Sequence, residues 1–189
     1  MQIERALQSA KSRSISMQFY SGFALKNEQH FFDPFVKESD YTIAGFSYGA
    51  IKAFAAALTA VQKGMRVDTL QLFSPAFFQS KDAKFKRLQL MAYRKNEDEY
   101  LRQFTNACFL PYERRDVEHA VTVLEELEEL LMYAWDKDAL QALVKRGVVI
   151  EVYLGGADQI VDSASAQEFF LDVATVTYVK NGNHFLLTE

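Results

Sequence analysis

Gly45-Phe46-Ser47-Tyr48-Gly49 is a G-x-S-x-G sequence, preceded by the strand-like YTIAGF and followed by the helix-like AIKAFAAAL. A strand that turns directly into a helix forces the central serine into a strained conformation and brings the two backbones close together. Glycines two residues to either side of the serine relieve that crowding, and the hydroxyl then projects from the turn. The helix N-terminus beside it favours developing negative charge. Ser47 is therefore the candidate nucleophile.

A serine hydroxyl needs a base, and the chain holds three histidines. His30 lies in a short helix-like stretch, and His119 lies in an acidic, solvent-facing pattern (VEHAV). His184 follows Asn181-Gly182-Asn183, directly after the last strand-like run. A loop at the carboxyl end of a strand lies on the ligand-binding edge of an open parallel sheet, so His184 is the expected base. In one recurrent chain order the acid lies between serine and histidine. Asp158, in Gly155-Gly156-Ala157-Asp158, follows a strand and is the expected acid. Asp162 is the second candidate, although its position suits the cap of the next helix. Two backbone donors must face the developing oxyanion. The amide of Tyr48 is one, and Phe23, in the turn Ser21-Gly22-Phe23-Ala24, is the expected second, with Gly22 leaving that turn free to aim it.

These groups require an alternating α/β scaffold. Strands are expected over 17–21, 41–46, 69–73, 148–154 and 175–179, with helices over 50–63 and 164–173 and a short helical stretch over 27–37. Residues 80–146 carry helical patterning throughout, interrupted most clearly at Pro111. Their run LEELEELLMYAW sets Leu124, Leu127, Leu130 and Leu131 on one face. The expected organisation is a tail or short helix over 1–16, a core formed by 17–79 and 147–189, and a helical cap over 80–146.

The length of 189 residues suits one domain, and 49% hydrophobic with 24% charged residues is ordinary globular composition. One cysteine, Cys108, excludes a disulfide framework and a cysteine-based metal cluster. Neither a metal nor a cofactor is expected. The net charge of −4 disfavours nucleic-acid binding, and the absence of any long apolar run disfavours a membrane span. No signal-peptide pattern opens the chain, so a cytoplasmic monomer is expected. Charge is uneven within the cap. Residues 81–115 hold nine Lys and Arg against five Asp and Glu, whereas 116–140 hold one against eight. The basic cluster, with Lys84, Lys86 and Arg87 at its centre, suits an acidic partner. Leu88, Leu90, Met91, Tyr93, Phe104, Phe109 and Trp135 of the cap, facing Phe23, Tyr48, Phe77 and Phe78, are candidates to line an apolar slot.

Serine, acid and histidine in this order, with a helical segment between, resemble the α/β-hydrolase family over about residues 17–189. The chain departs from that family in having Ser21-Gly22-Phe23 where most members have His-Gly. Only 24 positions separate Phe23 from Ser47, which leaves room for one helix and one strand. The usual additional strand and helix, and the leading antiparallel strands, have no counterpart. The resemblance thus implies a minimal α/β-hydrolase, with about five parallel strands in sequential order and a cap between the third and fourth. SGFALKNE, AGFSYGAIKA, LFSPAFF, AKFKRLQL, IEVYLGGADQIVDS and NHFLL are together similar to the BioV-type pimeloyl-acyl-carrier-protein methyl ester esterases. That resemblance implies hydrolysis of the methyl ester on an acyl-carrier-protein substrate in biotin synthesis. A general short-chain carboxylesterase or thioesterase with the same triad is the alternative, and a non-catalytic binding module on the same fold is a third reading.

Overall fold

The runs Thr42–Phe46 (TIAGF) and Thr69–Phe73 (TLQLF) are buried along their whole length. That is the pattern of central parallel strands covered on both faces. The computed structural model describes residues 17–189, so the tail or helix expected over 1–16 lies outside the described residues. Strands β1 (Gln18–Tyr20), β3 (Thr42–Phe46), β4 (Thr69–Phe73), β6 (Val149–Gly155) and β7 (Thr175–Val179) form one parallel sheet in the order β1-β3-β4-β6-β7. Each strand pairs with the next core strand in the sequence. The short strands β2 (Leu25–Lys26) and β5 (Glu118–His119) form a separate antiparallel pair.

Helix α1 (Tyr48–Gln62) leaves β3 without a linker and buries Ile51, Ala53, Phe54 and Ala57. Four more helices follow β4: α2 (Ala83–Lys95), α3 (Glu97–Phe109), α4 (Leu124–Met132) and α5 (Lys137–Lys145). Asp82 and Asn96 cap α2 and α3, their side chains accepting from the amides of Phe85 (2.7 Å) and Glu99 (3.1 Å). Helix α2 packs against both α3 and α4. Leu127, Leu130 and Leu131 of α4 are buried, with Leu124 partly buried against the same cluster. Helix α6 (Ser163–Phe170) closes the fold ahead of β7.

Three expectations change. The helical stretch over 27–37 is one 3-10 helix, Glu28–Phe32; Asp33 keeps helical angles, but Pro34 has no amide N–H to continue the hydrogen bonding. Helical patterning does not persist through 110–123. After Pro111, a charged segment and the β-branched Val117, Val121, Thr122 and Val123 run extended, and β5 pairs with the edge of β2. The helix expected to reach Trp135 stops at Met132, and Trp135 turns into the core instead. Its ring packs on Phe54 and Phe170, and its indole N–H donates to the carbonyl of Ala76 at 2.8 Å.

The tightest packing lies where β1, β3 and α1 meet. A β-carbon on Gly45 would stand 2.2 Å from the carbonyl oxygen of Gly49, and one on Gly49 would stand 2.0 Å from that of Tyr20. Both neighbours are backbone, so neither gives way. Gly49→Ala is expected to cost about 3 kcal/mol or more, measured by urea denaturation. Stability within about 0.5 kcal/mol of wild type would contradict this packing.

Candidate active site

Ser47 sits between β3 and α1 with φ 54° and ψ −115°, a region that side chains other than glycine rarely occupy. The strain is held by hydrogen bonds. The Ser47 amide donates to the carbonyl of Phe73 on β4 (2.9 Å), and its carbonyl accepts from Ala50 and Ala76 (both 3.1 Å). The backbone around the nucleophile is therefore fixed from three sides before any ligand arrives.

The loops that follow β6 and β7 carry the other two groups, and they are bonded to each other. The amides of Gly156 and Ala157 donate to the carbonyls of Val179 (2.8 Å) and Gly182 (2.9 Å). A β-carbon on Gly155 would stand 2.3 Å from the carbonyl oxygen of Gly182, so this approach requires glycine. Asp158 divides its carboxylate between two tasks. Oδ1 accepts from the amides of Ile160 (2.7 Å) and Val161 (3.0 Å), and Oδ2 meets His184 Nδ1 at 2.7 Å. His184 Nε2 lies 3.0 Å from Ser47 Oγ. The side chains of His184 and Asp158 are both inaccessible to solvent. An acceptor carboxylate at Nδ1 places the proton there and leaves the Nε2 lone pair facing the serine hydroxyl. The structure thus brings Ser47, His184 and Asp158 into one hydrogen-bonded chain.

Asp162 takes the other role weighed for it, capping α6 by accepting from Ser165 through its amide (3.1 Å) and hydroxyl (2.7 Å). His30 bonds the carbonyl of Asn27 (2.9 Å), and His119 is exposed on β5. Asn183 is a further residue of this site. Fully buried, its amide donates to the carbonyl of Phe109 (2.9 Å), and its oxygen accepts from the amides of Phe185 and Leu187 (both 3.0 Å). It thereby fixes the loop that carries His184. A short polar residue beside the base was visible in the sequence; its burial was not. Cys108 is also buried, and burial pushes its thiol up, reinforced by the nearby charge of Asp158. It is thus an unreactive neighbour of the acid.

The Tyr48 amide is the first of α1 and has no partner within the helix. Phe23 lies in a turn closed by the Leu25 amide on the carbonyl of Gly22 (3.2 Å). The sequence places the freedom of this turn at Gly22. The positive φ belongs instead to Ala24, at 63°. Gly22 is required because a β-carbon there would stand 2.7 Å from the Phe46 ring.

A cavity of about 260 Å³ lies between cap and core, lined by Phe78, Phe85, Phe104, Leu127, Leu130 and Leu131. Phe104 packs edge-on against Phe23 at 5.7 Å, and Ile160, which also lines the cavity, donates its amide to Asp158. The slot therefore abuts both the turn and the acid loop. Its polar lining is glutamine (Gln89, Gln103 and Gln159), with a tyrosine and no charged side chain. Of the residues expected to line a slot, Phe78 and Phe104 do so. Leu88 and Met91 are exposed; Tyr93, Phe109 and Trp135 pack in the interior, as does Phe77. Lys84, Lys86 and Arg87 lie on α2, and none of them lines this slot. Lys86 and Arg87 instead border a second groove of about 360 Å³, with Arg94 beside them and Leu90 and Met132 as apolar floor. Among the described residues no group of His, Cys, Asp or Glu is arranged to hold a metal, and no helix is long and apolar enough to cross a membrane.

No known family profile matches the chain, and no curated protein matches it in sequence. Solved structures do match. Naproxen esterase (carboxylesterase NP) from Bacillus subtilis aligns with a TM-score of 0.60 at 15% identity, over 94% of this chain and 80% of that one. BioG from Haemophilus influenzae aligns with a TM-score of 0.51 at 13% identity, over 90% and 88%. The esterase EaEST from Exiguobacterium antarcticum gives 0.52 at 14%, over 89% and 84%. The chain has the α/β-hydrolase fold.

Within this fold the cap is tied to the residue after the serine. Tyr48, 3% exposed, donates its hydroxyl to Glu129 of α4 at 2.5 Å. Burial, reinforced by Glu129, pushes the Tyr48 phenol up, so it remains a donor across the working pH range. Lys52 lies 4.3 Å from the centre of the Tyr48 ring and 3.4 Å from Glu126 of α4. Glu129→Ala strands the buried hydroxyl and is expected to lower unfolding free energy by about 1–2 kcal/mol. A denaturation midpoint equal to that of wild type would show that this tie holds nothing.

Proposed function

We propose that the chain is a serine carboxylesterase that hydrolyses the methyl ester of pimeloyl-acyl-carrier protein, releasing pimeloyl-acyl-carrier protein and methanol for biotin biosynthesis. The observation that carries the ester hydrolysis is the buried chain from Asp158 through His184 to Ser47 beside two amides and an apolar slot. His184 Nε2 takes the Ser47 proton as Oγ attacks the ester carbonyl, and the oxyanion forms against the amides of Tyr48 and Phe23. Collapse breaks the bond to the methoxy oxygen, which leaves as methanol with the proton held on His184. A water then gives a proton to His184 and attacks the acyl-Ser47 carbonyl; the acid departs and Ser47 recovers its proton.

The substrate is supported by the segments similar to BioV-type esterases and by the character of the slot. A slot without charged side chains suits a chain whose reacting end is an ester rather than a free carboxylate. The α2 groove, with cations over an apolar floor, suits an acidic carrier protein. The reading as a general short-chain esterase or thioesterase shares the triad, and it parts from this one in which bond is cut.

Incubation with methyl pimeloyl-carrier protein, followed by mass spectrometry, should show the mass of one methylene lost while the acyl arm stays on the carrier. Release of the acyl group would place the cut at the thioester and contradict the proposal. Ser47→Ala is expected to lower turnover by at least about 10³-fold, and retention of wild-type hydrolysis would rule out the serine. Charge reversal at Lys84, Lys86 and Arg87 should raise KM for the carrier-bound ester at least about tenfold more than for a small p-nitrophenyl ester. Equal changes on both substrates would remove the groove as the carrier's docking surface.

A further inference from the structure

Glu28 is a carboxylate with none of its surface exposed, and the hydrolytic mechanism does not use it. It opens the 3-10 helix that follows β2. Its Oε1 accepts the Gly22 amide at 2.6 Å, while Oε2 has no hydrogen-bond partner among the described residues. Burial pushes its carboxyl up, and the Gly22 amide, its own amide, the Ser21 hydroxyl and the nearby His30 pull it back only in part. Enclosing a carboxylate whose oxygens are not both fully paired is costly, and an apolar side chain of similar size would fill the same space without that cost.

The bond lies one residue from the expected oxyanion donor. Gly22 packs against the Phe46 ring, and Phe46 is joined covalently to Ser47. The turn bends back at Ala24, which at φ 63° has no intrinsic preference for its conformation. The Leu25 amide closes it weakly at 3.2 Å, and the Ala24 carbonyl accepts from Ala120 at 3.0 Å. The side chain of Phe23 is held from above by Phe104 and Tyr93. The Gly22–Phe23 peptide is thus held at its carbonyl only by the long bond from Leu25, and the Ser21–Gly22 peptide that leads into it is anchored by the Glu28 acceptor on the Gly22 amide.

We propose that Glu28 is a positioning residue: its carboxylate holds the Gly22 amide, and so aims the Phe23 N–H at the oxygen that becomes negative when Ser47 attacks. The inference rests on the esterase reading above. Loss of one oxyanion donor costs about 10²–10³ in kcat, and mis-aiming one costs less. Glu28→Ala is therefore expected to lower kcat by about 10–100-fold on a p-nitrophenyl ester, with KM within about threefold. Affinity for a trifluoromethyl ketone, which forms the tetrahedral oxyanion on Ser47, should fall in step with kcat/KM. Glu28→Gln keeps an acceptor oxygen in place and should recover most of the loss. Glu28→Asp, one methylene short, should not.

Should Glu28→Ala fail to fold, the Gln and Asp variants carry the same comparison. Wild-type kcat in the Ala or Asp variant overturns the proposal. So does an equal loss in the Gln and Asp variants, or a loss confined to KM. If wild-type protein hydrolyses no ester, the esterase reading fails along with it. If wild-type protein is active and Ser47→Ala is not, while the Glu28 variants match wild type, the positioning role alone fails.

Discussion

The carbonyl oxygen of Tyr20 stands where a β-carbon on residue 49 would have to be, and that of Gly49 does the same for residue 45. This mutual approach of β1, β3 and α1 fixes the rest of the site. With no room for a linker, the chain passes from strand to helix through one residue, and Ser47 takes a positive φ. The same geometry lifts the hydroxyl toward His184 and leaves the Tyr48 amide first in its helix. It also places β1 so that the turn after it, with Phe23, comes up beside the serine.

The surroundings divide the work. Two loops tied by backbone hydrogen bonds hold the acid and the base, with Asn183 fixing one and Asp158 Oδ1 fixing the other. Buried and mutually satisfied, these polar groups form a rigid network, whereas an unpaired member would be strongly destabilising. The cap grips the core at Tyr48 and, through β5, at the strand that follows the Phe23 turn. The first grip is on an expected oxyanion donor itself, and the second begins two residues after the other, Phe23. The position of the cap and the alignment of the site are therefore mechanically linked. The slot between them takes its apolar lining from α2, α3 and α4 together with Phe78 and Ile160 of the core.

The core was legible in the sequence because its signals are local. Short β-rich runs marked β3 and β4, and glycines around Ser47 marked the turn. His184 and Asp158 followed from one further rule, that the site lies at the carboxyl ends of the strands. The cap was less legible. Periodicity showed helices, but not that residues 110–123 would run extended to pair with Leu25 and Lys26, because that pairing depends on a distant edge. Trp135 looked like a cap aromatic and proved to be core, since its partners Phe54 and Phe170 are far away in sequence. Glu28 and Asn183 are polar residues whose burial no local pattern announces.

The chemistry of this site depends on Ser47 being an activated nucleophile in the folded protein. Labelling with a fluorophosphonate, then mapping the adduct by peptide mass spectrometry, tests this without assuming a substrate. The geometry predicts a single phosphonyl adduct on Ser47 in wild type, with labelling slowed by at least about 10³-fold in His184→Ala. Labelling elsewhere, absence of labelling, or an equal rate in the His184 variant would contradict it.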